Sequence, residues 1–174
     1  MKQIKVSENF YLDEFIDPHT YFYEVKNGLD QIDHELFEIA QLLRDKWKKP
    51  IYINTWWSYY KENETLLNCD QIIDDIENLN TIRKWSGLRT ARCSIGAPQS
   101  AHKQGKAIDC VGNGKMLFNI VKKEPKEFYD AGVRRLEDYR ITPTWLHLDT
   151  LERNTQPNSI RVVDLTKATE IIKW

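Results

Sequence analysis

The chain has 174 residues, with 25 basic against 26 acidic side chains and a net charge of −1. That length suits one domain with a substantial core, and the even charge balance offers no footprint for nucleic acid. Six Trp and eight Tyr against seven Gly and six Pro argue against disorder. The opening Met1-Lys2-Gln3-Ile4-Lys5 lacks the apolar run of a Sec-type signal peptide, and no stretch is apolar for long enough to span a bilayer.

In chain order, Phe10 to Phe15 reads as a short aromatic segment packed on the core, with Pro18 soon after. Ile32, Leu36, Ile39, Leu43 and Trp47 recur at helical spacing, with Phe37 and Leu42 widening the stripe and Pro50 as the stop. Ile51 to Trp57 is rich in β-branched and aromatic residues and predicts a strand. Residues 58–84 predict helical pieces in a polar insertion, on the strength of Leu66, Leu67, Ile72, Ile73, Ile76 and Leu79. Ser86-Gly87-Leu88-Arg89 is a turn signal with a basic residue. Lys106 to Val111 predicts a strand, ended by Gly112-Asn113-Gly114, and Met116 to Val121 a short helix interrupted at Pro125. Val133 to Glu137 and Thr144 to Thr150 predict two further strands, Ile160 to Leu165 an edge strand, and Ala168 to Lys173 a short closing helix. Cys69, Cys93 and Cys110 form no C-x-x-C and read as reduced, structural thiols. The expectation is a single α+β domain over residues 1–174: an antiparallel sheet backed by helices, with a cleft on its open face.

The chemistry concentrates in two stretches. Ser100 to Asp109 reads S-x-H-x-x-G-x-A-x-D, and Trp145-Leu146-His147-Leu148-Asp149-Thr150 supplies a second histidine. Strand side chains alternate between faces. Ala107 and Asp109 therefore share one face, as do Trp145, His147 and Asp149, while Ile108, Cys110, Leu146 and Leu148 point the other way. Singly, His102 reads as a polar loop histidine, Asp109 as a capped or paired carboxylate, and His147 as a half-buried strand residue. Jointly they form a His–Asp–His set with a fourth position left for water, the pattern of catalytic rather than structural zinc. Such an ion acidifies its water and polarises a substrate carbonyl. Val133, Arg135 and Glu137 also share a face, so Glu137 joins the same cleft if its strand neighbours that of His147.

Residues 100–109 resemble the signature of the zinc peptidases that group D-alanyl-D-alanine carboxypeptidases with phage endolysins, whose wider fold relatives include lysostaphin-type enzymes and the hedgehog signalling domain. Trp145 to Asp149 resembles that family's second motif, Ser86 to Arg89 its S-G-[YL]-R turn, and residues 10–16 and 51–57 its opening segment and first strand. The resemblance implies a zinc-dependent peptidase acting on peptidoglycan stem or cross-link peptides, as a phage or prophage lytic enzyme would. It implies His102, Asp109 and His147 as ligands, and Arg89 as the group steadying a substrate carboxylate or oxyanion; the bland alternative for Arg89 is a surface salt bridge. The chain departs from the family at the general base. Many relatives place Glu or Asp three residues before the last histidine, where this chain has Thr144. Asp149 and Glu137 are the two substitutes, with Asp149 alternatively serving to orient His147. The departure also admits a second class of function, a non-catalytic metal-binding or structural module on the same fold.

Overall fold

The helical stripe begins the core. In a computed structural model that describes residues 2–153, 156–164 and 170–174, Leu36, Ile39, Ala40 and Leu43 are fully buried along one side of a helix. That helix is the third of seven α-helices among the described residues: α1 (Pro18–Tyr23), α2 (Val25–Gln31), α3 (Glu35–Trp47), α4 (Trp56–Asn63), α5 (Cys69–Asn78), α6 (Gly114–Lys123) and α7 (Pro125–Asp130). Glu35 and Glu38 in the first turn of α3 and Arg44 and Lys46 in its last complement the helix dipole, and Lys48 ends it in a left-handed conformation at φ 59°. The aromatic N-terminal segment packs beneath, with Phe10, Leu12, Phe15 and Ile16 buried around a 3₁₀ turn at Leu12–Glu14. Pro18 starts a helix directly, at the first position of α1, where its missing N–H costs nothing and Asp17 caps the Thr20 N–H at 3.1 Å.

Five strands form one sheet: β1 (Ala107–Val111), β2 (Arg135–Glu137), β3 (Trp145–Asp149), β4 (Ser159–Val163) and β5 (Glu170–Lys173), in the order β1-β3-β2-β4-β5. The sheet is mixed, not antiparallel throughout. β1 already occupies the far edge of β3, so β4 settles beside β2. Running opposite to β3, as β2 does, β4 lies parallel to β2. Helices α3, α6 and α7 cover one face, where Leu117, Phe118, Val121 and Phe128 join Ile108, Cys110, Leu136, Leu146, Leu148, Ile160 and Val162 in one apolar cluster. The other face carries the polar members of the same strands.

Several predicted elements differ. The strand expected at the edge from Ile160 appears as β4, which lies inside the sheet between β2 and β5, because β5 pairs with its outer side. Residues 51–57 make a single bridge, Tyr52 to Val111, and α4 starts at Trp56. Side chains take the bonds that a ladder would have used: Asn54 Nδ2 donates to the Ile16 carbonyl at 3.1 Å, Asn54 Oδ1 accepts from the Ser86 N–H at 2.9 Å, and Trp56 Nε1 donates to Ile16 at 2.9 Å. At the C-terminus, Glu170–Lys173 is the strand β5 and not a helix. It pairs Ile172 with Ile160 and alternates a buried Ile172 with an exposed Ile171. Ala168 and Leu165, the expected ends of these two elements, lie outside the described residues. In the 58–84 region α5 is fixed by a capping box between Asn68 and Gln71, and it buries Ile72, Ile73 and Ile76 against α4 and α1. Cys93 and Cys110 are buried and all three cysteines are free. No helix among the described residues is long and apolar enough to cross a membrane.

The N-terminal packing buries carboxyls. Burial lifts Glu14 to about 8, against an opposing hydrogen bond from the Tyr11 N–H, and lifts Asp13 to about 6, against one from Gln3. A carboxyl whose folded pKa exceeds its unfolded value stabilises the fold fully below the unfolded value and loses that contribution as pH rises through the folded one. Unfolding free energy is therefore expected to fall between about pH 5 and pH 8, with Glu14 contributing about 1–3 kcal/mol after solvent screening is allowed for. Denaturant titrations of the parent and of Glu14→Gln at several pH values check this. The difference between the two curves should grow with pH, and a pH-independent difference would mean that Glu14 ionises freely in the folded state.

Candidate metal centre

His102 opens a 3₁₀ turn, His102–Gln104, that closes on Gly105. Gly105 is required twice over: its φ is +67°, and a Cβ there would lie 1.9 Å from the Gln31 carbonyl oxygen. The Gly105 carbonyl in turn accepts from the Asp33 N–H at 2.8 Å, clamping the turn to the junction of α2 and α3. Ser100 holds the turn through its backbone, its N–H on the Ala97 carbonyl at 2.9 Å and its carbonyl on the Lys103 N–H at 3.0 Å. β1 follows at once and sets Asp109 directly across from His147 on β3. The alternation read from the sequence thus becomes a cross-strand pair, with His102 delivered from the turn above it.

The three side chains converge. Asp109 Oδ1 lies 2.8 Å from His147 Nδ1 and 3.3 Å from His102 Nε2, and the two nitrogens are 3.2 Å apart. Their outer atoms fix the tautomers. His102 Nδ1–H donates to the Gly87 carbonyl at 2.8 Å, which leaves Nε2 with its lone pair toward the cluster. Gly87 can approach this closely only without a side chain, because a Cβ would meet the Phe15 carbonyl oxygen at 2.1 Å. On the far side of the second ring, His147 Nε2 lies 3.4 Å from Asp149 Oδ2. A donation there leaves Nδ1 as the inward lone pair. Three acceptors then face one point. A proton there satisfies one pair; a metal ion satisfies all three.

The spacing suits a tetrahedrally bound metal ion. Ligands about 2.0–2.1 Å from a tetrahedral zinc stand about 3.3 Å from one another, and the three donor atoms here are 2.8 to 3.3 Å apart. Charge favours a cation as well. With protons in place of an ion on the inward ring nitrogens, hydrogen bonds from His102 and His147 outweigh the burial of Asp109 and hold its carboxyl well below the usual range. In that ion-free state burial likewise opposes a charge on His147, yet Asp109 and Asp149 outweigh it and raise the imidazole to about 10, so an ion takes Nδ1 by displacing its proton.

Asp149 does not face the cleft. It is fully buried, its Oδ2 is held by Arg135 Nε at 2.6 Å, and its Oδ1 accepts from the Leu151 N–H at 3.2 Å. Its place is behind His147, bracing the ring. Glu137 does line the cleft, because β2 pairs with β3 in the register Arg135↔Asp149 and Leu136↔Leu148, of which Glu137 and His147 are the next step. Thr144 is exposed before β3 and contributes its carbonyl to the Gly112 N–H at 3.1 Å. Arg89 reaches the cluster from the turn at residues 86–89. Its Nε donates to the Trp85 carbonyl at 2.8 Å, and its NH2 group lies 3.4 Å from Asp109 Oδ2, the oxygen turned away from the histidines.

The cleft over these groups has a volume of about 660 Å³. Trp145 forms part of its wall, whereas Trp56 is in the core and Trp57 packs against that core. The sequence alone assigns no role to Arg135 or to the Gly87 carbonyl. Strand alternation with Glu137 could have drawn attention to Arg135; a backbone carbonyl leaves no such signal. Arg153 and Gln99 also reach the cleft rim, joined by a bond of 3.1 Å from Arg153 NH1 to the Gln99 carbonyl. The chain has no match among family models, among curated proteins or among solved structures.

Proposed function

We propose that this chain is a zinc-dependent peptidase acting on peptidoglycan peptides, of the D-alanyl-D-alanine carboxypeptidase and endolysin kind that its two motifs resemble. The observation that carries this reading is the convergence of three lone pairs, from His102 Nε2, His147 Nδ1 and Asp109 Oδ1, at the base of an open cleft. Bound there, zinc supplies Lewis acidity, polarising a peptide carbonyl and acidifying water. The chain's own residues do the rest. Glu137 is the one carboxylate other than Asp109 among the described residues lining the cleft, so it takes the proton of the attacking water and returns it to the leaving amine. Arg89, fixed by the Trp85 carbonyl, offers its fork to the developing oxyanion. Arg135 and Asp149 hold the His147 ring at the angle that turns Nδ1 inward.

The test is elemental analysis of protein purified without added metal, followed by a digest of purified peptidoglycan with mass spectrometry of the products. One zinc per chain is expected, with new amino groups released by the loaded protein and none after chelation. Zinc bound without any hydrolysis would replace the peptidase by a non-catalytic metal-binding module.

Arg89→Lys separates two roles within this reading. Lysine keeps the charge but loses the planar fork. Turnover is expected to drop by about 10- to 100-fold, while the melting temperature moves by about 2–4 °C at most. Intact specific activity with a large loss of stability would assign Arg89 to bracing Asp109 alone.

A further inference from the structure

A second cavity, of about 250 Å³, meets the main cleft at Arg89 and Asp109, which line both. Ile82, Arg83, Trp85 and the exposed Ile95 also line it. The cluster therefore has a cavity on each flank. Arg83 stands between them: it lines the second cavity, and its guanidinium carbon lies 5.8 Å from the centre of the Trp145 ring, which walls the first. The backbone of Arg83 is fixed, its N–H on Thr55 Oγ1 at 3.2 Å and its carbonyl on the Thr55 N–H at 2.9 Å.

The other cations around the site already have partners in this chain, and the remaining donors of Arg89 are assigned above to the oxyanion. Arg89 serves the Trp85 carbonyl and Asp109, Arg135 serves Asp149, and Arg153 serves the Gln99 carbonyl. Lys84 is spent on the carbonyls of Ile76, Glu77 and Leu79 at the end of α5. Among the described residues Arg83 has no carboxylate partner. An aromatic face orients a guanidinium without neutralising it, so a charged fork is left at the edge of the site with its hydrogen-bonding capacity unspent.

Resting on the peptidase reading above, we infer that the second cavity is a substrate subsite in which Arg83, held over the Trp145 ring, receives a carboxylate carried by the peptide. The substrate is then gripped on both sides of the scissile bond, and the enzyme cuts internal bonds, adding water across the C–N bond to leave a carboxylate and an amine. In a stem peptide the α-carboxyl of the γ-linked D-glutamate is the group of the right chemistry.

Three synthetic stem pentapeptides with lysine at the third position test this. One is N-acetylated and C-amidated, so that the D-glutamate α-carboxyl is its sole carboxylate. The second has that carboxyl amidated as well. The third keeps the D-glutamate carboxyl and a free C-terminus. The parent is expected to cut the first peptide at an internal bond, and amidation of its carboxylate should lower kcat/KM by about 10- to 100-fold, the worth of one hydrogen-bonded charge. In Arg83→Gln, with its melting temperature unchanged, the first two peptides should be cut at similar rates, and Arg83→Lys should restore part of the preference. Cleavage of the free-terminus peptide alone, or discrimination that survives Arg83→Gln, would overturn the inference and leave the peptidase reading standing. Failure to cut any of the three would remove both.

Discussion

His102→Ala is expected to remove zinc and hydrolysis together while the chain stays folded. The ring is buried, but its fixed bonds are few: one donation to the Gly87 carbonyl and the contacts with Asp109 and His147. Losing the first leaves the buried Gly87 carbonyl unpaired at a cost of about 1–3 kcal/mol, less than the stability of a typical domain. Losing a ligand from a three-ligand site costs more affinity than the roughly 10- to 100-fold that follows loss of an outer hydrogen-bond partner. Two readouts check it. Elemental analysis should show the parent near one zinc per chain and the variant near none. Zinc added at about 100 times the parent's Kd should raise the parent's unfolding free energy by about 2.7 kcal/mol and leave the variant unmoved. Zinc retained at full occupancy after replacement of both His102 and His147 by alanine would place the ion elsewhere.

How much of this was legible depended on the range of the interaction. The core stripe of α3 and the alternation of β1 and β3 are local patterns, and both appear where the sequence puts them: Leu36, Ile39 and Leu43 inward, Asp109 and His147 on one face, with Ile108, Cys110, Leu146 and Leu148 in the core behind. Elements decided by distant partners were not legible. Residues 51–57 have strand composition, but Asn54 and Trp56 are recruited by the Ile16 carbonyl, 38 and 40 residues earlier in the chain. The helical reading of residues 168–173 could not anticipate Ile172 finding Ile160 across a strand pair. The parallel pairing of β2 with β4 follows from which edge of β3 was already taken, a property of the whole sheet. Within the site, the three side chains that could hold a metal ion were visible as residue types at fixed spacing. Their orienting partners were not, because Gly87 contributes only a carbonyl and Arg135 meets Asp149 solely through the register of β2 on β3.

That register sets Glu137 at the cleft and Asp149 behind His147, so under the peptidase reading proposed above the two carboxylates are expected to respond differently to replacement. Glu137→Gln is expected to keep zinc and the parent's melting temperature and to lower kcat by about 10² to 10⁴-fold, because an amide cannot carry the proton from water to the leaving amine. Asp149→Asn acts on a different link. Asp149 is fully buried and receives both Nε and the NH2 group of Arg135 at 2.6 Å. Neutralising it leaves a guanidinium that is 24% exposed without its counter-charge, at a cost of about 1–3 kcal/mol. It also removes the brace from His147 Nε2, which should weaken zinc binding by about 10- to 100-fold. The two variants therefore differ under one simple manipulation. Excess zinc should restore much of the activity of Asp149→Asn and none of that of Glu137→Gln, and only Asp149→Asn should melt at a lower temperature. If Asp149→Asn stays inactive at saturating zinc with an unchanged melting temperature, while Glu137→Gln hydrolyses at the parent rate, the proton passes through Asp149 and the cleft-lining carboxylate is a bystander.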